Sequence, residues 1–124
     1  MVGAMTNVII AGSRHMKDYE TLKEFCDKWL SDIRSDITVI SGGCAGADTL
    51  GEQYAAERGH EVKRFPADWK SHGKAAGPIR NREMAKVGDI LIAFPFDDSR
   101  GTANMIREAK SHGLEVHVKH LRVT

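Results

Sequence analysis

A chain of 124 residues, 41% of them hydrophobic, fits one domain with a core of its own. A formal net charge of +1 excludes a global field that gathers nucleic acid, so any anion site has to be local. No apolar run approaches a membrane span, and Met1 to Thr6 lacks a basic segment leading into a long apolar one, so a cytoplasmic location is expected.

Val8-Ile9-Ile10-Ala11 predicts a short buried strand ended by Gly12. Asp18 to Arg34 places Leu22, Phe25, Cys26, Trp29, Leu30 and Ile33 at helical spacing. Ile37 to Ile40 is a second strand, stopped by Ser41-Gly42-Gly43, and Ala47 to Arg58 is a helix closed by Gly59. Glu61 to Phe65 reads as a third strand ended by Pro66, followed by a long connection, Ala67 to Gly77. Pro78 suits the first turn of a helix running to about Val87. Asp89 to Phe94 is a fourth strand, Thr102 to His112 a helix closed by Gly113, and Leu114 to Val118 a fifth strand.

Strands alternating with helices imply parallel pairing through right-handed crossovers. The expected fold is α/β, a three-layer, doubly wound, Rossmann-like sheet of five strands in the order 3-2-1-4-5. Ligands of such sheets sit beyond the carboxyl ends of the strands, at the switch point between the first and fourth.

Two loops on that edge suit phosphate, each following an apolar run and opening a helix. In the first, Ser41 to Asp48, Gly42, Gly43 and Gly46 let the backbone approach a ligand or make a tight turn needing positive φ. Asp48 either caps the helix or receives a ligand hydroxyl. The pattern is neither a Rossmann fingerprint nor a P-loop. In the second, Ser99-Arg100-Gly101-Thr102, Gly101 and Thr102 are expected to expose free N–H groups, with a hydroxyl and a guanidinium alongside; ordinary capping by Ser99 is the alternative.

Three further segments add candidates. Arg80 and Arg82 are two apart on a helix and face different ways, and Arg80 is the one expected in the cleft. Asn81 is expected to read a ribose or base edge, and Glu83 is at helical reach of Arg80. Gly12-Ser13-Arg14 ends the first strand at the switch point; Asp68 and Trp69 lie in the long connection, where Trp69 either stacks on a base or covers the core edge.

Cys26 reads as core and Cys44 as a small residue in a tight loop, with a reactive thiol as its alternative reading. The six histidines form no cluster with zinc spacing, so neither a metal nor a cofactor is expected.

Four segments together resemble the SLOG superfamily, named for the Smf/DNA-processing and Lonely-Guy proteins, and within it a compact YspA/YpsA-related branch. They are VIIAGSR (Val8 to Arg14), SGGCAGADTLG (Ser41 to Gly51), PADWKSHGKAAGPIRNREM (Pro66 to Met84) and DILIAFPFDDSRGTAN (Asp89 to Asn104). The resemblance implies a Rossmann-like fold that binds nucleotides or nucleotide-derived ligands. Lonely-Guy enzymes cut the N-glycosidic bond of nucleoside monophosphates, using Arg-x-x-Glu-Met and Pro-Gly-Gly-x-Gly-Thr-x-x-Glu motifs. Arg80 to Met84 matches the first, which carries the family role onto Arg80. The second matches at Pro95, Gly101 and Thr102, but Met105 stands where the family's glutamate belongs. Cleavage through an oxocarbenium-like state calls for a carboxylate beside the ribose. Asp48, Glu83 and Glu108 are candidates with Arg80 for catalysis, and Asp68, Asp97 and Asp98 are further carboxylates within the matching segments.

The reading favoured by these residues is a sensor or scavenger of a nucleotide-type small molecule, and the resemblance implies a homo-oligomer. The alternative is an enzyme, a nucleoside 5′-monophosphate phosphoribohydrolase-type N-glycosidase with a relocated carboxylate. Single-stranded nucleic-acid binding is disfavoured by the near-zero charge and 6% aromatic content.

Overall fold

The computed structural model describes residues 5–97 and 99–122. Its elements run β1 (Met5–Gly12), α1 (Tyr19–Leu30), β2 (Asp36–Ser41), α2 (Ala47–Arg58), β3 (Glu61–Arg64), α3 (Trp69–His72), a 3-10 turn (Gly73–Ala75), α4 (Ala76–Val87), β4 (Ile90–Phe94), α5 (Arg100–Ser111) and β5 (Glu115–Val118). The five strands form one sheet in the order β3-β2-β1-β4-β5. All four pairings are parallel, with Val8 opposite both Val39 and Ile90 in register. The expected fold class and strand order are those observed.

Alternation along the strands splits the core into two layers. Val8, Ile10, Val39, Ile90, Ile92 and Phe94 pack with Leu22, Cys26 and Leu30 of α1 and with Tyr54 and Ala55 of α2. Ile9, Ala11, Ile40, Leu91 and Ala93 face Met84 and Ala85 of α4 and Met105 and Ala109 of α5. Both faces of β1 and β4 are therefore buried, as expected of central strands in a parallel sheet.

Some boundaries differ from expectation for local reasons. β1 begins at Met5 rather than Val8, because pairing with β2 extends its ladder to Met5 opposite Asp36. α1 stops at Leu30 rather than Arg34, and its start is capped by the Asp18 carboxylate, which accepts the Thr21 N–H at 3.1 Å. The long connection after Pro66 is not structureless. Asp68 caps α3 by accepting the Ser71 N–H at 3.1 Å, and the 3-10 turn hands the chain directly to α4 at Ala76. Pro78 remains in the first turn of α4, where its missing N–H removes nothing from the helix.

Candidate functional site

At the carboxyl edge of the sheet, a cleft of about 610 Å³ opens at the switch point between β1 and β4. Its volume is within the range of small-molecule sites. The end of β1 contributes Gly12, Ser13, Arg14 and His15; α4 contributes Gly77, Pro78, Arg80, Asn81 and Met84. The start of α5 contributes Ser99 to Thr102 with Asn104, Met105 and Arg107, while Cys44, Asp48 and Trp69 close the remaining side. A second cavity of about 470 Å³ adjoins it, sharing Cys44, Trp69 and Arg80 and reaching Gly42, Gly43, Glu52 and Arg64.

The first turn of α5 is not capped by the side chain of its N-cap residue. Ser99 stands at the N-cap, but its hydroxyl accepts the Phe96 N–H at 3.0 Å and makes no capping bond to the helix. The expected alternative of ordinary Ser capping does not form. Among the described residues, Ala103 is the first of the helix whose N–H is taken up, by the Ser99 carbonyl at 2.9 Å. The amides of Arg100, Gly101 and Thr102 therefore lack an intrahelical acceptor, at the positive end of the helix dipole. Thr102 is 6% exposed and lines the cleft, with no hydrogen bond to its hydroxyl among the described residues.

Arg80 is turned inward. Its guanidinium donates to the Gly42 carbonyl at 2.8 Å, to the Phe65 carbonyl at 3.3 Å and to Asn81 Oδ1 at 3.0 Å. Arg82, two residues on, points the other way and meets Glu108 at 3.6 Å. A Cβ on Gly42 would stand 2.6 Å from Arg80 Nη1 and 2.8 Å from Asp48 Oδ2, so the glycine is what lets these two side chains close on the loop. Asn81, expected to read a ligand edge, instead joins α4 to α5. Its amide donates to Asn104 Oδ1 at 2.9 Å and to the Gly101 carbonyl at 3.3 Å, which fixes the α5 turn against Arg80.

Asp48 is 6% exposed. It does not cap its own helix; Oδ2 accepts the Cys44 N–H at 3.1 Å and braces the glycine loop. Burial pushes its pKa up to about 6, against the opposing pull of that N–H and of the Arg80 guanidinium. Cys44, half-buried beside it, lines both cavities.

Several expected site residues do other work. Gly46 lies outside both cavity walls: its φ is +81°, and a Cβ there would meet the Ser13 carbonyl at 2.3 Å. The tight-turn reading describes it, because the bend lets Ala47 N–H reach the Ser13 carbonyl at 3.0 Å. Ser41 is fully buried behind the loop, donating to Glu52 at 2.7 Å and accepting the Gly43 N–H at 3.1 Å. Asp68 is taken up by its α3 cap and lines neither cavity. Trp69 is 56% exposed, so it does not cover the core edge.

The carboxylate candidates separate in the same way. The contact between Arg80 and Glu83 does not form, because Arg80 is held by backbone carbonyls while exposed Glu83 pairs with Lys86 at 3.3 Å. Glu108 is engaged with Arg82 and lies outside the cleft wall. Met105 is 1% exposed and packs in the α4/α5 core layer. Asp97 is exposed, and Asp98 lies outside the described residues. Of the described candidates, Asp48 alone is a carboxylate in the larger cleft's wall. His15, Asn104 and Arg107 also line it and were not anticipated. For the last two the signal was the spacing of Arg100, Asn104 and Arg107, which places them on one helical face.

No helix among the described residues is long and apolar enough to cross a membrane. Comparison with known proteins adds ancestry. The chain is 37% identical over 118 residues to the "Gene 61 protein" of Mycobacterium phage D29, covering 90% of this chain and 94% of that one. Among solved structures it is similar to the X-ray structure of DNA processing protein A from Streptococcus pneumoniae, with a TM-score of 0.70 at 16% identity. That match covers 91% of this chain and 49% of the other, so the chain spans about half the length of that protein and shares its fold. A model of the YspA, cpYpsA-related SLOG family (YAcAr) matches residues 6–72, from β1 through α3. The chain belongs to the YspA, cpYpsA-related SLOG family.

Proposed function

We propose that the chain binds a nucleotide or nucleotide-derived phosphorylated ligand at the carboxyl edge of its sheet, as a sensor or scavenger. One observation carries the reading: the first turn of α5, which Ser99 does not cap and whose Thr102 hydroxyl has no partner among the described residues, opens into a cleft that Arg14 and Arg80 also line. Backbone donors at a helix start, a hydroxyl in the cleft wall and fixed positive charge together suit phosphate. Membership of a SLOG family supports a nucleotide-related role. Trp69, exposed where the two cavities meet, offers a face on which a base can stack. A homo-oligomer is part of the proposal, and analytical ultracentrifugation tests it. The ligand test is a thermal-shift screen of nucleoside phosphates against the chain and its Thr102→Val variant. The expected result is a rise in Tm that the variant reduces; no rise with any phosphorylated compound overturns the reading.

A second reading is hydrolysis of an N-glycosidic bond, favoured by the position of Asp48 in the cleft wall beside Arg80. In that reading the Asp48 carboxylate takes a proton from water as the water oxygen bonds to C1′, while the base departs with the electrons of the C1′–N bond and is protonated by solvent. Chromatography of nucleoside monophosphates after incubation tests it. Release of free base that Asp48→Asn abolishes is the expected outcome, and release that survives the substitution rejects this role for Asp48.

A further inference from the structure

We propose that the ligand of this cleft carries two or more linked phosphates, as in a nucleoside diphosphate or triphosphate, rather than one phosphomonoester. The proposal rests on the nucleotide reading above and specifies its ligand.

Charge balance is the first argument. The cleft is lined by Arg14, Arg80, Arg100 and Arg107, and against them stands one described carboxylate, Asp48. Elsewhere, Arg58, Arg64 and Arg82 are each ion-paired with a carboxylate. None of the four cleft arginines is so paired among the described residues, and Arg80 donates to uncharged acceptors. Among the described residues, four arginines thus face one carboxylate in the wall of one cleft, an excess of three positive charges in a chain whose formal net charge is +1. A phosphomonoester brings about two negative charges at neutral pH and a linked diphosphate about three. The second matches the cleft.

Extent is the second argument. The first-turn amides of α5, without an acceptor among the described residues, and the Thr102 hydroxyl provide for one phosphate at the helix start. The basic face continues past that point: Arg100, Asn104 and Arg107 stand at i, i+4 and i+7, all in the cleft wall. Seven residues of helix span about 10 Å, so Arg107 stands roughly two turns beyond the phosphate held at the helix start. Arg14, from the end of β1, lines the same cleft. One phosphate at the α5 start leaves this second stretch of positive charge unused, whereas a linked chain runs along it.

The test is isothermal titration with inorganic phosphate, pyrophosphate, and the 5′-monophosphates and 5′-diphosphates of the four common nucleosides. The expected result is that pyrophosphate and a diphosphate bind about tenfold tighter than their single-phosphate counterparts, the factor for one added charge-assisted contact. Arg107→Gln is expected to lower diphosphate affinity by a larger factor than monophosphate affinity. Lys110→Gln, which removes the same charge from an exposed part of α5 outside the cleft wall, is expected to leave that ratio unchanged. Equal affinity for single and linked phosphates overturns the inference but leaves the nucleotide reading standing. So does an Arg107→Gln effect that is the same for both. If none of these anions binds, the nucleotide reading falls and the inference with it.

Discussion

Asp48 is the residue at which burial and charge most plainly compete. Its pKa is raised from 3.8 to about 6, chiefly by desolvation. The folded state therefore holds the proton more tightly than the unfolded chain between about pH 4 and pH 6, and stability falls as pH rises through that window. A shift of about two units corresponds to roughly 3 kcal/mol, fully expressed only above the folded pKa. Asn at this position keeps an oxygen for the Cys44 N–H and carries no charge. Asp48→Asn is thus expected to gain in Tm relative to the natural chain as pH goes from 5 to 7.5, measured by differential scanning calorimetry. A difference that is flat or shrinks over that range would remove the burial argument. The sequence suggested either a cap or a ligand group here. The actual hydrogen bond, back to Cys44, depends on a loop bend that no spacing rule reports. Arg80 was more legible, because a helix separates Arg80 from Arg82 by about 200° and only one of them can face the sheet edge.

Among the elements, α2 and α5 differ in what their glycines do. Gly51, in the middle of α2, faces the sheet, and a Cβ there would lie 2.7 Å from Ile10 Cγ2 and 2.9 Å from Ile10 Cβ. Ile10 is fully buried in a central strand, so the helix would have to move. Gly51→Ala gains about 1 kcal/mol in helix propensity. Overpacking costs about 1–3 kcal/mol, so net destabilisation is expected in urea denaturation. Gly101, in the first turn of α5, has open space where a Cβ would stand, and Gly101→Ala is expected to be neutral or stabilising. If both substitutions raise the urea midpoint, close packing of α2 on β1 is not what holds that helix. The helical segments were readable from periodicity and terminal signals. Sequence did not separate the two glycines, because helix-to-strand distance is a tertiary quantity. Nor did it show that Ser99 turns away from its own helix, since that depends on the path of the preceding loop.

At the scale of the whole molecule, the cleft joins segments far apart in the chain: the end of β1, the glycine loop, α4 and the start of α5. A ligand held by all of them binds the folded state and not the unfolded chain. At a free concentration of 100 times its Kd it is expected to add about 2.7 kcal/mol to stability. For a domain of this size that is a rise in Tm on the order of 10 °C, at roughly 3–6 °C for each kcal/mol. A thermal-shift titration checks it, and a Tm independent of ligand concentration would mean that no such linkage exists. By itself the sequence determined the α/β class, the parallel strand order and the edge on which the loops gather, because alternating hydrophobic periods and Gly/Pro punctuation are local signals. Both loops on that edge were visible for the same reason. Tertiary structure decided which polar groups are taken up within the fold and which line the cleft. Ser41, Gly46, Asp68 and Asn81 are engaged within the fold, while the first turn of α5, Thr102 and Arg107 are open to the cleft. That division follows from hydrogen bonds and contacts between residues distant in sequence, and local patterning carries no record of them.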